Sequence, residues 1–194
     1  NGYIVLGDQN HPGTNDGAVF IYKLERDTFK LCQTFLGPGS SQFGWNVQLN
    51  NNILAVSAQN ENNSGGQPAG AIHLYRIDKG EFKEFQVIIN PDTSTDRGRI
   101  GSHISLSDNY LIVGNSSKTI DGDASAGEVL VYRYSRGEFR FVQQLTSPNI
   151  IANGQYGWNT DISDGQIVIA APNNAFAGDS PELPGQVWVY SYGI

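Results

Sequence analysis

The sequence predicts an all-β protein built from repeated four-stranded antiparallel sheets, and three observations support this class. The 194 residues include 23 Gly, 9 Phe, 9 Tyr and 3 Trp, a composition typical of short strands joined by glycine turns. Only 16% of the residues are charged, which is not the composition of a helical protein. A block of sequence also recurs along the chain at a nearly constant spacing, as expected for a repeat architecture.

The clearest recurring element is a glycine followed by an alternating strand. It occurs as GAVFIY, GAIHLY, GEVLVY and GQVWVY, starting at Gly17, Gly70, Gly127 and Gly185 with spacings of 53, 57 and 58 residues. A second strand begins after each of the first three, at DTFK (27–30), GEFK (80–83) and GEFR (137–140). Two alternating runs joined by such turn residues predict a β-hairpin.

Two further strands complete each repeat. One opens with FGWN (43–46), IGSH (100–103) or YGWN (156–159). The other is a nearly continuous apolar run, YIVLG (3–7), ILAVSA (53–58), LIVG (111–114) or IVIAAP (167–172), as found in strands covered on both faces. The tight turns between them are NNN (50–52), SDN (107–109) and SDG (163–165).

A unit of four strands cannot bury both faces of its own sheet, so the units are expected to stack face to face. Radial stacking of such sheets is a β-propeller. Each first strand carries a glycine, Gly44, Gly101 or Gly157, where the backbone of a neighbouring sheet is expected to approach closely.

The repeat predicts fourteen strands, or about 3.5 repeats, in one propeller segment spanning 1–194. The predicted blades are listed here: a partial blade at 1–36, blades at 43–89 and 100–146, and a partial blade at 156–194. A chain without methionine that starts at Asn1 is expected to be a processed product, an excised piece or an incomplete chain. The remaining strands of the ring are then expected from the parent chain, another polypeptide or a partner copy.

These motifs resemble the FG-GAP repeat of the integrin α-chain β-propeller along essentially the whole chain. Phe43-Gly44 and Tyr156-Gly157 match the first signature, and Ala170-Ala171-Pro172 is similar to the second. The resemblance implies a ring of about seven blades. Many FG-GAP repeats carry an Asp-x-Asp-x-Asp-Gly calcium loop, which the turns here lack, so the chain resembles a calcium-free variant and no cofactor is expected.

The resemblance also implies a non-catalytic module that presents inter-strand loops to a protein partner, in cell adhesion and in an extracellular or secreted location. The long loops at 59–69, 115–126 and 173–184 are expected on the binding face. In the segment DTSTDRGR (92–99), the binding candidates are Asp96, Arg97 and Arg99.

The alternative function is glycan binding, with an indole stacking on a sugar and an amide bonding its hydroxyls. The candidate pairs are Trp45-Asn46 and Trp158-Asn159, with His103 at the corresponding position of the middle repeat. Because each tryptophan alternates with core residues, packing between blades is favoured for both of them. Packing is also the favoured interpretation of Trp188 in QVWVY.

A third alternative is a scaffold carrying the specificity face of an enzyme, which would require a cleft lined by two carboxylates. The sequence contains no Gly-x-Ser-x-Gly motif, and Cys32 is expected to be buried and inert. No histidine has a His, Cys or Glu at metal-ligand spacing. Asp121 and Asp123 offer a weak metal alternative, although a solvated turn is favoured there.

Two classes of partner are excluded by composition. The net charge is −7 and the 12 Lys and Arg residues are scattered, which argues against nucleic acid. The longest apolar runs cover about five residues, far fewer than the roughly 20 needed to cross a bilayer, so no membrane span is expected.

Overall fold

The computed structural model describes residues 2–12, 16–90, 98–172 and 185–192, and the regular secondary structure in these residues is entirely β-strand. The strands are β1 (Tyr3–Asp8), β2 (Ala18–Glu25), β3 (Thr28–Leu36), β4 (Phe43–Asn50), β5 (Ile53–Ala58), β6 (Ala71–Asp78), β7 (Glu81–Ile89), β8 (Ile104–Leu106), β9 (Tyr110–Asn115), β10 (Glu128–Ser135), β11 (Glu138–Thr146), β12 (Asn159–Ser163), β13 (Gln166–Ala171) and β14 (Gln186–Ser191). The predicted all-β class is confirmed, and the described residues contain the fourteen strands that the repeat predicts.

The strands form four antiparallel sheets in which neighbours in the chain are neighbours in the sheet. Strands β4–β7 and β8–β11 make four-stranded sheets, whereas β1–β3 and β12–β14 make three-stranded sheets. The chain divides into two compact units, residues 1–93 with the first two sheets and residues 94–194 with the last two. Each unit is therefore a pair of sheets.

The central strand pair has the same register in all four sheets. Six residues of β1 pair with β2, and the same six-residue pairing joins β5 to β6, β9 to β10 and β13 to β14. The hairpins β2–β3, β6–β7 and β10–β11 also share a β-bulge at the equivalent position. A residue in one sheet can therefore be matched to the equivalent residue in another sheet by its pairing register alone.

The hairpin turns have the geometry that their residues favour. Lys79 and Gly80 have φ angles of 52° and 89°, and Arg136 and Gly137 have 55° and 93°. Two consecutive positive φ values define the type I′ turn, whose twist matches that of the flanking strands. The predicted hairpins are confirmed.

The core of the first unit lies between the β1–β3 and β4–β7 sheets. Its buried members are Val19, Ile21, Phe43, Leu54, Val56, Ala58, Tyr75 and Phe82. Two ring contacts join the sheets: Phe35 stacks on Tyr75 at 4.4 Å, and Tyr3 meets the edge of Phe82 at 5.4 Å. The side-chain amide of Gln33 also bonds both main-chain groups of Phe82, donating to its carbonyl at 3.1 Å and accepting its N–H at 2.7 Å.

The core of the second unit repeats this arrangement between the β8–β11 and β12–β14 sheets. Its buried members are Ile112, Val129, Val131, Tyr156, Ile162, Ile167, Ile169 and Ala171. Trp188 packs against this core and meets the Tyr156 ring at 5.0 Å, so the interpretation of Trp188 as a packing residue is confirmed.

Backbones of stacked sheets touch at glycines, as the sequence predicted for Gly44 and Gly157. A Cβ on Gly44 would lie 2.6 Å from the Ala18 carbonyl oxygen, and one on Gly157 would lie 2.6 Å from that of Glu128. The opposing strands also carry a glycine at each contact: a Cβ on Gly114 would collide with the Gly157 carbonyl oxygen. Real Cβ atoms do not approach backbone this closely, so a side chain at these positions would separate the sheets.

We predict that Gly114→Ala lowers the free energy of unfolding by about 2 kcal/mol, because the new methyl group collides with a carbonyl that the packed sheet cannot move. The matched control is Gly39→Ala, since a Cβ on Gly39 would lie 3.9 Å from its nearest neighbour, the carboxylate of Asp16. Urea unfolding followed by circular dichroism measures both. Equal midpoints for the two variants would show that the glycine contact does not limit sheet packing.

Candidate functional site

Three connections meet at one end of the first unit. Asp16, which precedes β2, accepts the N–H of Phe43 through its carbonyl at 2.9 Å and the N–H of Ser40 through its carboxylate at 2.6 Å. The carbonyl of Ser41 accepts the N–H of Asn60 at 2.9 Å. We call this end the first loop face; its described residues are 9–12, 16–17, 37–42 and 59–70.

The longest described connection of this face, residues 59–70, is ordered by its own hydrogen bonds. The Asn63 side chain is buried, and its Oδ1 accepts the N–H groups of Gly65 at 2.9 Å and Gln67 at 3.2 Å. The carbonyl of Glu61 accepts the N–H groups of Ala69 and Gly70, each at 3.0 Å. The residues exposed above this framework are Asn62, Ser64, Gly65, Gly66, Gln67 and Pro68.

The second unit has an equivalent end, the second loop face, with residues 116–127 and 147–155. The N–H of Asn153 donates to the Ala124 carbonyl at 2.8 Å, and that of Gln155 donates to the Ser125 carbonyl at 2.9 Å. In both units, therefore, the connection that leads into a first strand is hydrogen-bonded to a loop of the preceding sheet. The loop at 173–184, predicted to belong here, lies outside the described residues.

One turn recurs at the same place in three of the sheets while its side chain changes. The N–H groups of His11, Glu61 and Lys118 each donate to the carbonyl three residues earlier, at 3.3, 3.1 and 3.2 Å. These residues carry an imidazole, a carboxylate and an ammonium. The backbone conformation of this turn is thus repeated on the loop faces, whereas the charge of the side chain at the turn is not.

The first loop face is tied to its sheet by a histidine between two carboxylates. His73 lies on β6 and is 8% exposed. Its Nε2 lies 2.7 Å from Glu61 Oε2, and its Nδ1 lies 2.8 Å from Glu84 Oε1. The Phe43 ring packs edge-on against the imidazole at 5.2 Å. This cluster joins the 59–70 loop, β6 and β7.

The sequence interpretation concerned ligand spacing alone, and the structure adds two carboxylate neighbours of His73 that spacing does not reveal. Glu61 and Glu84 are 12 and 11 residues away from His73, and neither distance is a metal-ligand spacing. The pairing of Tyr75 with Glu84 across the β6–β7 hairpin was the one signal that could have placed Glu84 near His73. The approach of Glu61 depends on the fold of the loop.

The two carboxylates set the protonation of His73. Burial disfavours the charged imidazolium and would lower the pKa of His73, but the hydrogen bonds and charges of Glu61 and Glu84 outweigh it and raise the pKa above its usual value. Tyr75 lies beside the same carboxylates, and burial followed by the Glu84 charge raises the pKa of its hydroxyl. The cluster therefore favours the protonated form of His73.

Trp45 and Trp158 stand exposed beside the loop faces, so the expectation that they pack between blades is wrong. Trp45 is 41% exposed and Trp158 is 50% exposed. Their main-chain N–H groups donate to the main-chain carbonyls of Gln42 at 3.2 Å and Gln155 at 3.0 Å. Each tryptophan therefore lies at a turn that leads into its strand. In β4 the register shifts between Phe43 and Val47, so the two-residue alternation that predicted burial does not apply at Trp45.

The residues that follow the tryptophans have different environments. Asn159 is exposed next to Trp158. Asn46 is half-buried, its N–H donates to Ser57 Oγ at 2.9 Å, and its Oδ1 has no partner. Of the two candidate pairs, Trp158-Asn159 is therefore the one in which both the indole and the amide residue are exposed.

His103 forms hydrogen bonds between the two sheets of the second unit. Its Nδ1 accepts the N–H of Thr160 at 3.3 Å and lies 3.2 Å from the Thr160 hydroxyl. Burial lowers the pKa of His103, against an opposing effect of the Asp161 charge. A neutral imidazole suits this role, because Nδ1 must be unprotonated to accept a backbone N–H.

The remaining candidates divide into described and undescribed positions. Asp96 and Arg97 lie outside the described residues. Arg99 is half-buried, and its N–H donates to Ser117 Oγ at 3.3 Å. Asp121 begins a two-residue turn in which Ile120 and Asp123 exchange main-chain hydrogen bonds of 3.1 and 2.9 Å. This is the turn that the sequence favoured over a metal loop.

Two features bear on metal and nucleophile chemistry. Within the described residues, no group of three or more His, Cys, Asp or Glu is placed to hold a metal ion. Cys32 is exposed, which contradicts the predicted burial. Cys32 is the extra residue of the β2–β3 bulge, because Ile21 pairs with Gln33 and Tyr22 pairs with Leu31. It therefore has no paired residue on β2. Its Sγ lies 3.3 Å from the Ile21 carbonyl oxygen.

Compared with protein-family models and with curated proteins, the sequence matches none. The resemblance to the FG-GAP repeat therefore stays a prediction. Across the described ranges, no helix has the length and apolar character needed to cross a membrane.

We predict that the stabilising effect of His73 fades as the pH rises. A raised pKa in the folded state means that the protonated form contributes its full stability below the unfolded-state pKa of about 6.5, and loses it as the pH rises through the folded-state pKa. His73→Gln should therefore cost more unfolding free energy at about pH 5.5 than at about pH 8.5. Urea unfolding of both proteins at the two pH values measures this.

The control is Glu61→Gln, which keeps the size of the side chain but removes one charge that raises the pKa of His73. The NMR titration of His73 should move to lower pH in that variant. An equal cost of His73→Gln at both pH values would show that the pKa of His73 is the same in the folded and the unfolded protein.

Proposed function

We propose that this chain is a set of FG-GAP-like β-propeller blades that binds a protein partner through its loop faces. The observation that carries the proposal is the contrast between scaffold and loops. The central strand pairs share one register and the loop-face turns share one backbone, whereas the side chains at those turns differ in charge. Rigid repeated sheets that hold variable loops are a common arrangement for recognition.

Order within the 59–70 loop supports the same function. Its backbone is fixed by contacts within the chain, through Asn63 and the Glu61–His73 pair. Binding through an ordered loop avoids the entropic cost of immobilising it, which favours affinity. The exposed residues Ser64 and Gln67 stand on this framework and are the first candidates for contact.

The propeller architecture is part of the proposal. It is supported by the meander order of each sheet, by the face-to-face packing within each unit, and by the repeated glycine contact. A non-catalytic role in an extracellular setting, with any remaining strands of the ring coming from the parent chain or another chain, completes the proposed description. Both rest on the resemblance to the FG-GAP repeat.

We predict that Ser64→Arg and Gln67→Arg each weaken partner binding at least tenfold, about 1.4 kcal/mol, because both place a long charged side chain in the proposed contact. The matched control is Asn52→Arg, which makes a similar change in the exposed turn between β4 and β5, at the opposite end of the same sheet. The biotinylated chain is screened against an array of purified ectodomains, and affinities are then measured by surface plasmon resonance.

Binding that survives both loop variants and is lost with Asn52→Arg would refute the proposed binding face. If no arrayed ectodomain binds the wild-type chain, the protein-partner assignment is refuted for that class of partner.

Glycan binding is a second candidate, favoured by the exposure of Trp45 and Trp158 beside the loop faces. An exposed indole can stack on the apolar face of a sugar, and Asn159 next to Trp158 supplies amide donors and an acceptor. No observation on the described residues favours the enzyme alternative.

If glycans are the ligands, Trp158→Ala should reduce binding on a glycan array at least tenfold, because the stacking surface is removed. Phe141→Ala is the control, since Phe141 is a 57% exposed aromatic on β11, away from the second loop face. Retention of every glycan signal by Trp158→Ala would exclude the indole as a sugar platform.

A further inference from the structure

The 59–70 loop closes on itself at Glu61. The main-chain carbonyl of Glu61 accepts the N–H groups of Ala69 and Gly70, each at 3.0 Å, so the two ends of the loop meet at this residue. The side chain of the same residue leaves the loop and reaches His73 on β6, where its Oε2 lies 2.7 Å from Nε2. Glu61 therefore both closes the loop and attaches it to the sheet.

The two contacts of His73 need one proton more than a neutral imidazole carries. Nε2 contacts the Glu61 carboxylate at 2.7 Å, and Nδ1 contacts the Glu84 carboxylate at 2.8 Å. An ionised carboxylate only accepts hydrogen bonds, and a neutral imidazole has a single N–H. A neutral His73 can therefore donate to one of the two carboxylates, and the other then faces a lone pair. Both hydrogen bonds form together only while the cluster holds the additional proton.

The groups that face His73 show which of them change charge with it. The loop contributes Glu61 and β7 contributes Glu84, and their side chains are 15% and 44% exposed. On β6 itself the Tyr75 hydroxyl lies beside these carboxylates, and its raised pKa keeps it protonated at neutral pH. From β4 comes the uncharged ring of Phe43, at 5.2 Å from the imidazole. The charge at this point therefore changes through His73 and its two carboxylates.

We propose that the contact between Glu61 and His73 is a pH-operated latch, in which protonation of the cluster holds the 59–70 loop closed on the sheet and loss of the proton lets the loop open. Linkage gives the direction: because closure brings the Glu61 carboxylate to the imidazole and favours its charged form, protonation favours closure by the same free energy. The latch is complete below the pKa that His73 has in the open loop. It weakens as the pH rises through the closed-loop pKa, which lies above the usual value of histidine.

The β8–β11 sheet has the same loop closure with different side chains. The Lys118 carbonyl accepts the N–H of Gly127 at 2.9 Å, which is the bond that closes the 59–70 loop in the first unit. By register, Leu130 occupies the position of His73. A lysine and a leucine therefore replace the carboxylate and the imidazole, and this loop serves as an internal control for the latch.

Opening of the loop changes the first loop face, because the exposed residues Ser64 and Gln67 lie within it. An effect of pH on partner binding rests on the proposed function. The latch itself is a property of the chain alone and is tested without a partner, so failure of the latch and failure of the proposed function are distinguishable.

The test measures amide hydrogen exchange of the whole 194-residue chain by quenched labelling and NMR, at about pH 5.5 and about pH 8.5. Dividing the intrinsic rate at each pH by the observed rate gives a protection factor that reports opening. The reporters are the amides of Ala69 and Gly70. Gly127 is the matched control in the other loop, and the buried Val56 on β5 reports unfolding of the whole first unit.

The protection factors of Ala69 and Gly70 are expected to be lower than that of Val56 at both pH values, because the loop opens without unfolding the sheet. They are expected to fall about tenfold from the lower to the higher pH, which corresponds to a difference of one unit in the pKa of His73 between the closed and the open loop. The protection factor of Gly127 is expected to stay constant.

The test variant is Glu61→Gln, whose amide can bond the imidazole in either protonation state, so the pH dependence at Gly70 should largely disappear. The matched variant is Glu81→Gln, which removes an exposed carboxylate at the hairpin end of β7 and should leave the pH dependence unchanged. Circular dichroism checks that both variants are folded.

Three results would overturn the proposal. An equal response of Gly70 and Gly127 to pH would mean that no group peculiar to the 59–70 loop controls its closure. Equal protection of Gly70 and Val56 at both pH values would show that the loop opens only when the unit unfolds. An undiminished pH dependence in folded Glu61→Gln would exclude the Glu61 carboxylate as the latch.

Discussion

Contact between the backbones of stacked sheets is the constraint on which the rest of each unit depends. Gly7 meets Gly44 in the first unit, and Gly114 meets Gly157 in the second, at distances that leave no room for a Cβ. Such a contact sets both the separation and the relative position of the two sheets, because glycines must coincide for it to form. The aromatic and aliphatic side chains further along the strands then fill the remaining space.

The loop faces follow from this contact. Once two sheets are held in one position, the connection entering a first strand must pass beside the loop of the preceding sheet. The bonds from Phe43 to Asp16 and from Tyr156 to Ala126, both 2.9 Å, show the same outcome in both units. Because the main chain makes these bonds, side chains on the loops can differ without loss of the scaffold. Recognition can therefore change while the fold is kept.

His73 shows how a polar group is accommodated in such an interface. By register its position is occupied by Phe20 in the first sheet and Trp188 in the last. A histidine there loses solvation, and the two carboxylates compensate by accepting its hydrogen bonds and favouring its charged form. The same contact attaches the 59–70 loop to the sheet, because Glu61 belongs to the loop and His73 to β6. The cluster connects the sheet interior to the surface proposed to bind a partner.

The sequence by itself determined the all-β class, the fourteen described strands, the hairpins and the close contacts at Gly44 and Gly157, because two-residue alternation and turn chemistry are local properties that recur in every repeat. Only the tertiary structure decided that Trp45 is exposed, that Cys32 lies in a bulge and that Glu61 reaches His73. The physical reason is that a bulge resets the alternation of a strand, and that a contact across a folded loop depends on the path of the chain rather than on spacing.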